Sequence, residues 1–188
     1  MKQIWKPGNM LYPVPVVMVS CRRAGEKPNI ITAAWAGTVC SEPPMLSVSV
    51  RKERYSHDMI RESGEFVVNL VSRELVRACD FCGVRSGRDT DKFAEMGLTA
   101  EKTPHLSLAP AIGQSPVSLE CRVTEVLELG SHDMFLAKIL GVLVEDSLLD
   151  EKGALDLDRA ELVAYSHGEY HLLGELLGSF GYSVRKKK

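Results

Sequence analysis

Two adjacent prolines followed by a strictly alternating segment constrain the fold of this chain more than any other feature. Pro43 and Pro44 stop a helix and deny a β-ladder two backbone donors. In residues 45–51 that follow, one face is aliphatic and the opposite face carries the other side chains: Leu46, Val48 and Val50 against Met45, Ser47, Ser49 and Arg51. This period of two predicts a half-buried β-strand.

The segments on either side of this strand have the composition of a binding site for a flat, phosphorylated ring. Before it, small and hydroxyl side chains surround Trp35, which leaves room for a ring to lie against the backbone. After it, residues 51–56 supply three cations and two hydroxyls beside a predicted helix start, whose free N–H groups favour an anion. Two plainer interpretations stay open: a core tryptophan and a solvated, charged strand end.

Length and composition indicate one globular domain spanning residues 1–188. Apolar residues make up 45% of the chain, which is enough for a sizeable core. The net charge of −2 gives no reason to expect nucleic acid as a partner, and we expect the basic segment Arg185–Lys188 to be solvated. No apolar run reaches the roughly 18 residues of a membrane helix, so we expect no membrane contact and a cytoplasmic location.

Strand-like segments dominate the chain, and helices are short inserts. We predict strands at 14–21, 30–39, 46–51, 66–71, 117–124 and 134–144, and helices at 57–63, 73–82, 90–96 and 172–177. The first two strands form a hairpin, and a later, longer hairpin carries His132 at its tip. This pattern indicates a mainly β, closed or partly open antiparallel barrel. The chain lacks the GxGxxG and GxxxxGK[ST] motifs, so any nicotinamide nucleotide must bind without a Rossmann unit.

A series of motifs resembles the flavin reductase-like FMN-binding split barrels, and most closely their flavoredoxin branch. The motifs occur in the expected order along nearly the whole chain: Asn29–Trp35, Cys40–Pro44, Ser47–Lys52, Phe66–Asn69, Ser86–Phe93 and Tyr170–Tyr182. The resemblance implies an antiparallel Greek-key split β-barrel with short inserted helices. It also implies FMN as the cofactor and a homodimer with a cofactor site near each interface.

The resemblance further implies which residues contact the FMN. The predicted cofactor-binding residues are Asn29, Thr32, Ala33, Trp35, Ser49, Arg51, Lys52, Tyr55, Ser56, Lys92 and His132. Asn29, Thr32 and Trp35 are implied to lie near the ring, and Ser56 near the phosphate. Lys92 and His132 are implied to reach the flavin, with the source subunit of His132 left open. From the residues alone, Lys92 also fits an exposed lysine paired with Asp89 or Asp91, and His132 fits an ordinary turn residue.

The function implied by the resemblance is that of an oxidoreductase. Electrons would pass from NADH or NADPH through bound FMN to a flavin, a quinone, a ferric complex or a protein acceptor. The flavin carries this chemistry, so we predict no catalytic side chain. Two alternatives stay open: an electron carrier supplied by a protein donor, and a flavin-binding module without turnover.

Cysteine and histidine pairs raise the question of redox or metal chemistry, and their context argues against both. Cys79 and Cys82 fall at the far end of a predicted helix, where the helix dipole disfavours a thiolate, and no second pair completes a zinc site. His167 and His171 lack a third ligand. We therefore expect buried thiols and no metal, and the odd number of five cysteines argues against a disulfide framework.

Overall fold

A computed structural model describes residues 1–185 of the chain, in which antiparallel strands predominate. The strands are β1 (Val14–Pro15), β2 (Val17–Cys21), β3 (Asn29–Ala33), β4 (Ala36–Cys40), β5 (Met45–Arg51), β6 (Glu65–Leu70), β7 (Ala100–Glu101), β8 (Ala111–Ile112), β9 (Val117–Leu129), β10 (His132–Val144), β11 (Val163–Ser166) and β12 (Glu169–Leu172). The α-helices are α1 (Tyr55–Ser63), α2 (Val76–Val84) and α3 (Lys92–Glu95). Short 3₁₀ turns lie at Arg73–Leu75, Asp146–Leu148, Leu157–Ala160 and Tyr182–Val184. Within residues 1–185, no helix has the length and apolar character needed to cross a membrane.

The main sheet has seven strands in the order β3-β2-β6-β9-β10-β5-β4, and every neighbouring pair is antiparallel. Its two edge strands, β3 and β4, are separated in sequence only by Ala34 and Trp35. Three Cα–Cα steps span at most ~11 Å, so the two edges of the sheet must come together at this point. The sheet therefore curls into a barrel that is joined through Trp35.

The barrel interior is filled by alternate side chains from strands on both sides of this junction. Val19 on β2, Ile31 on β3, Val48 on β5, Phe66 on β6 and Phe135 on β10 share one buried cluster. The alternation predicted for residues 45–51 is confirmed, because Leu46, Val48 and Val50 are buried and the intervening side chains are not.

The edge strand β4 is exposed at its centre and irregular in its pairing. Gly37, Thr38 and Val39 are exposed to solvent. The pairing of β4 with β5 shifts register between Thr38 and Cys40, which is typical of a β-bulge.

Helix α1 is anchored both by apolar packing and by a cluster of charges. Met59 and Ile60 enter the barrel core. The helix ends at Gly64, as predicted, and this glycine adopts the left-handed conformation with φ 67°. The fully buried carboxylate of Asp133 on β10 lies 2.8 Å from Nε2 of His57 and 3.4 Å from Nη1 of Arg61. Because a carboxylate removed from water needs such partners, these contacts hold the start of α1 against β10.

Helix α2 covers the outer face of β3. Ile30 packs with Ala78, Cys79 and Cys82 in a second buried cluster. Both thiols of the C-x-x-C pair are buried, as expected, and burial raises the pKa of Cys79 to about 12 and that of Cys82 to about 11. The predicted helix at 73–82 is therefore present, preceded by a 3₁₀ turn and extended to Val84.

Three predicted elements are wrong. The single strand expected at 14–21 is divided at Val16 into β1, which pairs with β11, and β2, which lies in the main sheet. The single strand expected at 30–39 is broken at Ala34 and Trp35 into β3 and β4, since these residues cross from one edge of the sheet to the other. The helix expected at 172–177 does not form. Leu172 instead ends β12 opposite Val163, and Leu173, Leu176 and Leu177 are exposed, so no apolar helical stripe is buried in the described chain. Of the basic tail predicted to be solvated, Arg185–Lys188, Arg185 is exposed, and Lys186–Lys188 lie outside the described residues.

Replacing Phe135 by Ala should remove the largest interior contact of β10. Phe135 is fully buried, so we expect a loss of about 3–5 kcal/mol in the free energy of unfolding, measured by urea titration. The matched control is Val142→Ala on the same strand, where the side chain is 53% exposed and the change should stay within about 0.5 kcal/mol. Equal losses in both variants would contradict this account of the core.

Candidate functional site

A cleft of about 280 Å³ opens where β3 begins, α1 begins and the segment after α2 folds back. It brings together residues that are distant in sequence, among them Asn29, Tyr55, Ser56, Gly87, Arg88 and Lys92. Four of these belong to the predicted cofactor-binding set: Asn29, Tyr55, Ser56 and Lys92. The structure thus places this part of the predicted site in one cavity.

The polar floor of the cleft is a buried hydrogen-bonded pair. Nδ2 of Asn29, at the first residue of β3, donates to Oγ of Ser56 over 2.8 Å. Asn29 is 5% exposed and Ser56 is 1% exposed. Ser56 is the second residue of α1, so the helix start presents its hydroxyl to the cleft. Buried polar groups of this kind are fixed in orientation, because leaving either one unpaired is costly.

Lys92 is buried in the wall of the cleft rather than exposed on the surface. Its Nζ donates to the backbone carbonyls of Ile30, over 2.6 Å, and Cys82, over 2.8 Å. An ammonium has three donors, so one proton is left for a ligand in the cleft. Burial lowers the pKa of Lys92 to about 8.

The alternative interpretation of Lys92 as a surface lysine paired with an aspartate does not hold. Asp91 pairs instead with Lys27, over 3.0 Å, and accepts a hydrogen bond from the backbone N–H of Ala94 at the start of α3. Lys92 is only 4% exposed, so its side chain is a part of the interior.

The rim of the cleft is strongly cationic. Arg54, Arg85 and Arg88 line it together with Lys92, and Glu53 is the one carboxylate among the described lining residues. Arg88 lies over the ring of Tyr55 at 5.2 Å and donates to the carbonyl of Glu53 over 3.1 Å, which positions its guanidinium. An excess of positive charge around a polar floor suits an anionic ligand.

Gly87 brings the segment after α2 into close contact with Asn29. A Cβ atom at this position would lie 2.2 Å from Oδ1 of Asn29, which no real contact allows. The absence of a side chain therefore lets the backbone of the loop close over the amide that forms the floor of the cleft.

Three other predicted residues lie at the junction between β3 and β4 and do not line the cleft. Oγ1 of Thr32 donates to the carbonyl of Cys79 on α2. Ala33 is buried in the barrel core and pairs with Val17 on β2. Trp35 is half-buried at the bend, with its ring centroid 6.3 Å from that of Tyr12.

Ser49, Arg51 and His132 lie together on the neighbouring strands β5 and β10, also outside the cleft. Ser49 lies beside Trp35, because the backbone N–H of Ser49 donates to the carbonyl of Trp35 over 2.8 Å. Arg51 pairs directly with His132 across the two strands. Burial and the neighbouring Arg51 lower the pKa of His132, so the imidazole is neutral over a wider pH range.

The side chain of Lys52 contacts carboxylates outside the cleft. Its Nζ is 3.3 Å from a carboxylate oxygen of Asp133 and 3.4 Å from one of Glu128. It therefore belongs to the charge cluster around His57, and it would have to leave these partners to reach a ligand.

Sequence reasoning missed several residues that line the cleft: Cys82, Arg85, Gly87 and Arg88. Arg54, which also lines it, is one of the three cations that the sequence analysis found in residues 51–56. The motif at 86–93 was recognised, but no role was assigned to its members before Lys92. Their contribution depends on the loop folding back over Asn29, which is a long-range contact with no local sequence pattern. Within the described residues, no three His, Cys, Asp or Glu side chains converge as metal ligands.

The fold and the cleft define a class of protein: an antiparallel β-barrel with short inserted helices and a polar, cationic ligand site at its side. The flavin reductase like domain family matches residues 9–174, so the chain belongs to this family. This confirms the family predicted from the motifs.

Solved structures agree with this assignment. The chain is similar to flavoredoxin of Desulfovibrio vulgaris (Miyazaki F), with a TM-score of 0.91 and 34% identity over 98% of this chain and 100% of that one. Flavoredoxin from Methanosarcina acetivorans gives a TM-score of 0.87 and 29% identity over the same shares, 98% and 100%. An FMN-binding protein from Thermus thermophilus gives 0.77 and 25% identity over 95% and 97% of the two chains.

Replacing Gly87 by Ala should force apart the loop and Asn29. We expect the added methyl group to cost about 1–3 kcal/mol in the free energy of unfolding, since overpacking of a closed site is destabilising. Gly37→Ala is the matched control, because a Cβ there meets nothing within 4 Å. Urea titration of both variants checks this, and an unaffected Gly87→Ala protein would show that the loop does not pack on Asn29.

Proposed function

We propose that this protein binds FMN at the cleft and transfers electrons through it, as an oxidoreductase of the flavin reductase-like family. The observation that carries the proposal is the buried set of Asn29, Ser56 and Lys92 beneath a rim of three arginines. This arrangement offers oriented donors and positive charge, which a phosphorylated ring with carbonyl and nitrogen acceptors requires.

The residues present fit FMN in size as well as in charge. A second cavity of about 430 Å³ adjoins the cleft and shares with it Asn29, Tyr55, Gly87 and Arg88. The two cavities together fall within the roughly 300–1,000 Å³ range of small-molecule sites. The similarity to an FMN-binding protein supports FMN over other phosphorylated rings, and the similarity to two flavoredoxins supports a flavin.

The protein's part in the reaction is to hold, orient and shield the cofactor. Bound FMN supplies the hydride and electron chemistry. Asn29, Ser56 and Lys92 would fix its position through hydrogen bonds, and Arg54, Arg85 and Arg88 would offset its negative charge. We assign Thr32, Ala33, Trp35, Ser49, Arg51 and His132 to the part of the site outside the cleft, as the family likeness implies.

We further propose that NADH or NADPH is the electron donor and that a flavin, quinone, ferric complex or protein is the acceptor. The missing Rossmann motif supports direct stacking of the nicotinamide on the cofactor, because no separate nucleotide site is evident from the sequence. The second candidate is an electron carrier that receives electrons from another protein. It is favoured by the similarity to flavoredoxins over 98% of the chain.

One experiment tests the proposal and separates the two candidates. The purified protein is denatured and the released cofactor is identified by mass spectrometry. We expect FMN rather than FAD. Stopped-flow mixing of the FMN-loaded protein with NADH or NADPH should bleach the oxidised flavin, with a KM in the upper part of the usual ~1 μM–1 mM range. Bleaching by dithionite but by neither nucleotide at millimolar concentration would favour the carrier. No flavin bound even after incubation with FMN would refute both.

We also propose that the protein is a homodimer built from two Greek-key barrels. Large apolar side chains are exposed near the chain end, including Leu173, Leu176, Leu177 and Phe180. Such a patch is unusual on a monomer and marks a contact surface. Sedimentation at micromolar concentration should therefore give twice the chain mass of 20.8 kDa. A stable monomer carrying flavin would contradict the dimer.

A further inference from the structure

We propose that residues 1–11 form an arm that is exchanged between two copies of the chain and lies in a groove beside the C-terminal segment of the second copy. The inference rests on the homodimer of the proposed function and deepens it, since it names the segment that covers the exposed leucines of each copy. The arm and the groove match in apolar character, in charge and in size.

The arm is a continuous exposed segment with large apolar side chains. Each of residues 1–11 is exposed to solvent. Ile4 is 100% exposed and Trp5 is 75% exposed, and Met10 and Leu11 are exposed as well. Single apolar side chains on a surface are ordinary, but four within eleven residues, with a tryptophan among them, form a contact surface.

The groove lies between the segment that follows β12 and the 3₁₀ turn at Leu157–Ala160, and its volume is about 550 Å³. The pairing of Leu172 with Val163 fixes one wall of the groove at the end of β12. Five leucines of the lining are exposed in the single chain: Leu157, Leu172, Leu173, Leu176 and Leu177. The groove is therefore apolar, and its leucines require cover.

The arm of each chain leaves the molecule away from the groove of the same chain. Strands β1 and β12 both pair antiparallel with β11, so β1 and β12 run in the same direction. The arm precedes β1 and the groove segment follows β12, so the two leave this small sheet at opposite ends. Tyr12, at the root of the arm, contacts His167 at the turn between β11 and β12, with ring centroids 5.9 Å apart. The arm thus extends outward, toward a second copy.

The charges of the arm and the groove are complementary. Lys2 and Lys6 lie on either side of the apolar pair at positions 4 and 5, and both are exposed. Asp158 and Glu175 line the groove and are exposed as well. Opposite charges beside an apolar contact set its partner and its register. The other two charged residues of the lining pair with each other over 3.0 Å: Arg73 and Glu161.

A two-fold exchange covers an area of the size that a stable dimer requires. A two-fold interface uses the same surface of both partners, so each copy contributes its own arm and its own groove. Burying a large aliphatic side chain removes roughly 60–120 Å² from water, so the four arm side chains and five leucines supply about 500–1,100 Å² per copy. A standard interface takes about 800 Å² from each partner.

The fluorescence of Trp5 tests the exchange, because the chain has two tryptophans and Trp35→Phe leaves Trp5 alone. We expect a blue-shifted emission at micromolar concentration that moves to the red as the dimer dissociates on dilution, followed in parallel by sedimentation. If Trp35→Phe does not fold, the difference between the unaltered protein and Trp5→Phe gives the same signal. Trp5→Ala should raise the dissociation constant of the dimer about thirtyfold.

Reversal of the charges tests whether the arm and the groove meet. The pair Lys2→Glu and Lys6→Glu, and the pair Asp158→Lys and Glu175→Lys, should each raise the dissociation constant about tenfold at low salt. All four changes together should restore it, because the complementary charges are then re-formed. Lys102→Glu alters an exposed lysine outside both segments and should leave the dissociation constant unchanged.

The outcomes separate the exchanged arm from the proposed dimer. A dimer in which Trp5 keeps a solvent-exposed emission and Trp5→Ala has no effect overturns the inference and leaves the dimer in place. A monomer with buried Trp5 shows that the arm folds onto its own groove, and a species larger than a dimer shows an open chain of arms. Either result overturns the inference. A monomer with exposed Trp5 refutes the proposed dimer, and the inference fails with it.

Discussion

The two-residue link between β3 and β4 is the constraint on which the rest of the structure depends. Ala34 and Trp35 join strands at opposite edges of a seven-stranded sheet, so the sheet has to curl until its edges meet. Curling creates the single interior that Phe66 and Phe135 fill. It also fixes β3 between the barrel and α2, and this places Asn29, at the start of β3, beside the start of α1. The cleft exists because these three segments are forced together.

The floor of the cleft is polar, although the barrel core and the cluster between β3 and α2 beside it are apolar. Each buried polar group there is paired, as shown by Asn29 with Ser56 and by Lys92 with two carbonyls. On the far side of α1, the contact between His57 and Asp133 plays the same part for the charge cluster. Burial of such groups costs stability unless they are paired, so the pairs also fix where the helix lies. Electrostatic function and structural order come from the same contacts.

Much of the fold was predictable, because several features depend only on residues close together in sequence. These are the alternation in β5, the end of α1 at Gly64 and the hairpin of β9 and β10. The break at Trp35 was not, since it depends on closure of the whole sheet. The site also has a part that local motifs predict and a part that depends on long-range contacts. Asn29, Ser56 and Lys92 belong to recognisable motifs, and the cleft brings them together. Arg85 and Gly87 were missed, because their role depends on the loop folding over Asn29.

The two edges of the curled sheet differ in how they resist unwanted association with other chains. At β3, Nζ of Lys92 occupies the backbone carbonyl of Ile30, so an incoming strand finds less open backbone there. The edge at β4 is open, but it is five residues long and interrupted by the register shift between Thr38 and Cys40. An incoming strand can form few ladder hydrogen bonds on so short and twisted a template. The bulge in β4 thus makes this edge a poor template for aggregation.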